Sequence, residues 1–123
     1  MKESIENYLE NIYILTLSGE KSVRSVDLAH RLGVTRPSVF GAISVLKDGG
    51  FIEQESYGDI TLTAKGMTKA KEIYSKHTAL TEFLMTTLGL SKEIAETDAC
   101  KIEHDLSEET TKKLLEFINS QKK

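Results

Sequence analysis

The feature that most constrains this chain is the punctuation between Ser25 and Gly50. Ser25-Val26-Asp27-Leu28-Ala29-His30-Arg31-Leu32 has the length of a short helix, breaks at Gly33 and restarts at Thr35. The restart, Thr35-Arg36-Pro37-Ser38-Val39, offers a capping hydroxyl and a proline in the first turn, where its missing N–H costs little. Val39, Ala42, Ile43 and Leu46 then recur at helical spacing, and Asp48-Gly49-Gly50 stops the run. A short helix, a glycine turn and a second helix with an early proline form a helix-turn-helix pattern.

The flanking segments extend this pattern. Ile5, Tyr8, Leu9, Ile12, Tyr13 and Leu17 predict a helix over about Ser4 to Leu17, ended by Ser18-Gly19. After Gly50 the period changes. Phe51-Ile52-Glu53-Gln54-Glu55 and Asp59-Ile60-Thr61-Leu62 read as short strands joined through Tyr57-Gly58, a hairpin or wing. Thr63 caps a long helix from about Ala64 to Leu88. Ser91 caps another from Lys92 to about Leu106, and Ser107 opens the last, with Glu108 and Glu109 in its first turn. Gln121-Lys122-Lys123 reads as a frayed tail. The expected fold is mainly α: a winged helix-turn-helix at 1–63, then an all-helical region at 64–123.

Composition narrows the function classes. At 123 residues, the length suits about one domain with a small appended one. A lone cysteine, Cys100, excludes an internal disulfide. No apolar run approaches the ~18 residues of a membrane span. Met1 to Glu10 is too polar for a signal peptide. We therefore expect a reducing, cytoplasmic setting, with no membrane partner. The net charge of −3 does not advertise a nucleic-acid binder, yet residues 21–76 hold nine Lys/Arg against six Asp/Glu. This basic middle can face phosphate, while both flanks are acidic.

In helix-turn-helix proteins the second helix presents its N-terminal side chains to base edges in the major groove. Here these are Thr35, Arg36 and Ser38, with Pro37 shaping the approach. Arg24, Ser25 and Lys47 are candidates for backbone contacts, which position without specifying. Two residues fit less well: Gly41 weakens the recognition helix, and Asp59 puts an anion in the wing. A protein-binding winged helix is the competing reading.

The most informative stretch chemically is Asp98-Ala99-Cys100-Lys101-Ile102-Glu103-His104. Positions i, i+3 and i+4 share a helix face, so Cys100, Glu103 and His104 converge. Thiolate, carboxylate and imidazole together suit a divalent transition metal. Glu96, one turn earlier, extends the face. Further ligands are available from Asn7 and Glu10 on the first helix and His77 on the long one. Taken singly, Cys100 reads as a small core residue, His77 as an ordinary histidine and Glu10 as a solvated charge.

The chain resembles the diphtheria-toxin-repressor and manganese-transport-regulator family of iron- and manganese-dependent repressors. The resemblance runs from about Ile5 to Leu115. It rests on Glu6-Asn7-Tyr8-Leu9-Glu10-Asn11-Ile12-Tyr13, the helix-turn-helix, Leu62-Thr63-Ala64-Lys65-Gly66, Lys76-His77 and the stretch from Asp98 to Ser107. It implies metal ligands at Cys100, Glu103 and His104, and a neighbouring site using Glu10 and His77. It also implies a homodimer built from helices carrying Phe83, Leu84, Leu88, Leu114, Leu115, Phe117 and Ile118. The metal-loaded dimer is then expected to bind palindromic, double-stranded operator DNA and repress metal-uptake genes. Asn7, Thr81 and Glu96 depart from the ligand types of relatives, and Gly41 replaces a longer polar residue. The C-terminal barrel of the larger relatives is expected to be absent. The expected ion is Fe(II) or Mn(II), with Co(II), Ni(II) or Zn(II) as surrogates, and Cys100 tips the balance slightly to iron. The alternatives are a metal-independent regulator with a vestigial ligand face, and, least favoured, a small metalloenzyme. No small-molecule substrate is expected.

Overall fold

The computed structural model describes residues 3–19, 23–55 and 58–121. The elements run α1 (Glu3–Leu17), α2 (Ser25–Leu32), α3 (Arg36–Asp48), β1 (Ile52–Gln54), β2 (Ile60–Leu62), α4 (Ala64–Leu88), α5 (Lys92–Asp105) and α6 (Glu108–Ser120). They form two compact units, Met1–Lys71 and Glu72–Lys123, with α4 starting in the first and continuing through the second.

In the first unit α1 packs on α2, α3 and β2. Leu9, Ile12, Leu28, Val39, Leu46 and Ile60 are fully buried. Leu17, read as part of the α1 stripe, is instead 58% exposed: it sits in the last turn, past the elements that cover Leu9 and Ile12. The helix-turn-helix forms for local reasons. Gly33 closes α2 in the left-handed region at φ 66°, a conformation glycine adopts without strain. The Thr35 hydroxyl accepts the Ser38 amide at 3.3 Å, which caps α3.

The strands are shorter than the sequence suggests. Antiparallel pairing runs from Ile52↔Leu62 to Gln54↔Ile60, with Ile52 and Ile60 buried as its anchors. Gly58 lies at the hairpin bend with φ 107°, whereas Tyr57, and Lys122 and Lys123 of the tail, lie outside the described residues. A third piece of sheet escaped the pattern reading: the Ile60 amide donates to the Val23 carbonyl at 2.8 Å, forming a bridge ahead of α2. Gly66 is fixed by packing, since a Cβ there would stand 1.8 Å from the Phe51 carbonyl oxygen. Only glycine lets the start of α4 lie against the strand backbone.

In the second unit Leu80 and Leu84 of α4, Ala95 and Ala99 of α5, and Ile118 of α6 make the core, with Phe83, Ile102 and Leu114 packed against it. The two alanines let α5 approach closely. Ser91 and Ser107 cap α5 and α6, accepting the amides of Ile94 and Thr110 at 3.3 and 3.2 Å. This core takes up part of the expected dimer surface. Leu84 and Ile118 are interior to their own chain, and Phe83 and Leu114 pack on the same cluster. Leu115 is half-buried. Leu88 and Phe117 stay exposed, joined by Ile94, which the sequence reading did not single out.

Candidate metal centre and nucleic-acid interface

The helical spacing of α5 does what it implies. Donor atoms of Cys100, Glu103 and His104 lie within 4.8 Å of one another. The Glu103 side chain is fully buried, and His104 is almost so. From α4, His77 approaches Glu103: its Nδ1 stands 3.4 Å from Glu103 Oε1, while His104 Nε2 stands 3.5 Å from the same oxygen. Neither distance is an ordinary hydrogen bond, which closes at about 2.7–3.2 Å. Neither Glu103 oxygen accepts a hydrogen bond from the protein.

A carboxylate buried in that way costs several kcal/mol unless a cation compensates it. Sulfur, carboxylate oxygen and imidazole nitrogen gathered around one point are the donor set of a transition-metal site, with the thiolate favouring softer ions. The residues present therefore fit a divalent transition metal.

Other predicted ligands fall differently. Glu96 shares the face but is not among the converging donors: its carboxylate is half-exposed and lies 4.0 Å from Lys92 Nζ, one turn earlier. The Thr81 hydroxyl donates to the His77 carbonyl at 2.8 Å, and so is spent inside α4. In the first unit Glu10 is buried on α1. Asn7 is half-buried, and its amide oxygen accepts from Asn11 Nδ2 at 3.2 Å. Asn11 was quoted without a role. It is buried, and its Oδ1 accepts from Arg31 Nε at 2.7 Å, tying α1 to α2. A polar residue beside the apolar stripe of Tyr8 and Ile12 was the available signal.

The predicted DNA face lies in the first unit. Thr35, Arg36, Pro37 and Ser38 are all exposed at the start of α3. The Thr35 and Ser38 hydroxyls are 3.0 Å apart, already engaged in the cap. Arg24, Ser25, Arg36 and Lys47 line one open cleft together with Gln54, Glu55 and Gly58 of the wing segment. The anion in the wing has a local explanation: Asp59 Oδ1 stands 3.5 Å from Arg24 Nε. It holds Arg24, the residue before α2, against the hairpin.

Comparison with known proteins bears on both regions. Residues 1–60 match the iron-dependent repressor N-terminal DNA-binding domain, and residues 63–123 match the iron-dependent repressor metal-binding and dimerisation domain. The transcriptional regulator MntR of Salmonella typhimurium is 38% identical over 117 residues, covering 94% of this chain and 73% of that protein. The chain belongs to the iron-dependent repressor family.

An uncharacterised HTH-type transcriptional regulator of Methanocaldococcus jannaschii is also similar, at 37% identity over 96% of this chain and 94% of its own length. The solved structure of the manganese regulator SloR superposes with a TM-score of 0.79 at 28% identity. It covers 94% of this chain, which spans only about half, 53%, of the SloR chain. Membership of the iron-dependent repressor family makes this protein a metal-dependent transcriptional regulator. Its two matched regions are those the family uses for DNA binding and for metal binding with dimerisation. Among the described residues no helix is long and apolar enough to cross a membrane.

Proposed function

We propose that this protein is a homodimeric repressor whose affinity for operator DNA rises when a divalent transition metal, Fe(II) or Mn(II), binds at Cys100, Glu103 and His104, with His77 beside Glu103 as a candidate ligand of a neighbouring site. The observation that carries this reading is the buried Glu103 carboxylate, which accepts no hydrogen bond and lies among imidazole and thiol donors. An ion there stabilises whichever arrangement of α4 and α5 brings all the ligands together, and a ligand shifts an equilibrium only through such differential affinity. On this reading residues 1–63 read DNA and residues 64–123 sense metal. Thr35, Arg36 and Ser38 meet base edges with Pro37 shaping the approach, and Arg24, Ser25 and Lys47 meet phosphate. Leu88 and Phe117, exposed on the second unit, are the dimer contacts we retain from the predicted set. Glu10 and Asn7 remain candidate ligands of a neighbouring site by family resemblance. We assign the protein to the cytoplasm, with its DNA, and give it no catalytic step.

The test is binding of promoter fragments by the reduced protein, titrated anaerobically with Fe(II), Mn(II), Co(II) and Zn(II). The wild type is expected to gain at least about tenfold in specific affinity, roughly 1.4 kcal/mol of coupling. A Cys100→Ala, His104→Ala double variant is expected to lose that gain. Equal, metal-indifferent binding by both proteins would support a metal-independent regulator instead.

A further inference from the structure

One large apolar side chain on the recognition helix is left mostly outside the chain's own packing. Phe40 is 59% exposed, although its neighbours Val39, Ala42, Ile43 and Leu46 are all buried. It stands one turn beyond Arg36 and lines the same cleft as Arg24, Arg36 and Lys47. An aromatic ring in a cleft lined by three cations against one carboxylate, Glu55, suits a surface that closes on an anionic partner with apolar spots. Duplex DNA is such a partner. Its major groove is flanked by phosphates, and the one apolar group it displays is the thymine C5-methyl. The next residue adds an independent observation. A Cβ at Gly41 would meet nothing within 4 Å, so no packing within the described chain requires glycine there. Glycine in a helix interior carries a stability penalty, and at an exposed position it is useful where another molecule's surface must approach the backbone.

We propose that Phe40 reads thymine methyl groups in the major groove, while Gly41, which lines the neighbouring cleft with Ser38 and Val45, leaves the adjacent helix backbone open to the same partner. This rests on the DNA-binding reading above and deepens it. Arg36 supplies the polar contact at the start of the helix, and Phe40 selects T·A over C·G one turn later, because cytosine lacks the methyl. The cations beside it hold the helix in register on the backbone.

The experiment uses the Mn(II)- or Fe(II)-loaded protein and a promoter fragment that it binds. Each thymine is replaced singly by deoxyuridine, which removes only the C5-methyl. For wild type, affinity is expected to fall about fourfold at one or two thymines per half-site, the scale of one CH₂-sized group leaving an apolar contact. Phe40→Ala is expected to bind the unsubstituted fragment more weakly and to be indifferent to uracil at those positions. Phe40→Leu is expected to retain part of the discrimination. Phe40 is solvent-exposed, so both variants are expected to melt with wild type. A flat uracil scan in wild type overturns the proposal, and so does the same uracil penalty in Phe40→Ala. If no duplex is bound with any metal, the DNA-binding reading itself fails, a distinct result that removes the basis of this one.

Discussion

The two units of this chain treat their polar groups in opposite ways. In Met1–Lys71 Arg24, Thr35, Arg36, Pro37, Ser38 and Lys47 are exposed, with Ser25 half-buried, and the residues that cap or brace the helix-turn-helix have partners within the chain: Thr35 with Ser38, Arg24 with Asp59, Arg31 with Asn11. In Glu72–Lys123 the corresponding chemistry is buried, and its central carboxylate accepts no hydrogen bond. The helix-turn-helix of the first unit is braced without its DNA. On the function proposed above, the second unit gains stability when a cation joins Cys100, Glu103 and His104. A sensor needs that asymmetry: the element that reads DNA keeps its shape, and the element that reports metal gains stability from it.

Four substitutions sharpen or break the contrast. The largest effect belongs to the core of the first unit. Leu46→Ala, at a fully buried position, is expected to cost about 2–5 kcal/mol, read by denaturant unfolding, and to cost the same with or without metal. A metal-dependent cost there would mean the first unit is not self-sufficient. Next is Glu103→Leu, which removes the carboxylate that stands between His77 and His104. Metal at about a hundredfold excess over its Kd is expected to stabilise wild type by about 2.7 kcal/mol and to leave the melting temperature of this variant unchanged. An equal metal-induced shift in both proteins would show that Glu103 is not a ligand. Thr35→Ala is expected to cost about 1 kcal/mol through loss of the α3 cap, again independent of metal. Smallest in stability is Arg36→Ala, expected within about 0.5 kcal/mol of wild type by thermal melting. It is nonetheless expected to weaken operator binding clearly, because exposed residues there serve the partner and not the fold.

What could be read from sequence divides along physical lines. Helix punctuation is local, so Gly33, Thr35, Ser91 and Ser107 announced their turns and caps, and the bounds of α4 follow from Thr63 and Gly89. The triplet Cys100, Glu103, His104 was legible because i, i+3, i+4 spacing is a property of one helix. Contacts between elements were not. The Val23–Ile60 bridge joins segments far apart in the chain, and the Asn11–Arg31 bond joins α1 to α2. Periodicity also could not separate apolar residues facing inward from those left for a partner. Leu84 and Ile118 prove to be interior, whereas Phe40, Ile94 and Phe117 are exposed. Glu96 shows a finer limit: it shares the angular face of Cys100, yet its side chain leans a turn away, toward Lys92.

The most direct test of the central contrast is amide hydrogen exchange of the reduced protein, followed by mass spectrometry with and without saturating Mn(II) or Fe(II). Metal is expected to slow exchange in α4 around His77 and in α5 from Cys100 to His104, while the core of the first unit, α3 around Leu46 included, stays as protected as before. Equal protection with and without metal across α5, or a gain confined to the first unit, would contradict the account.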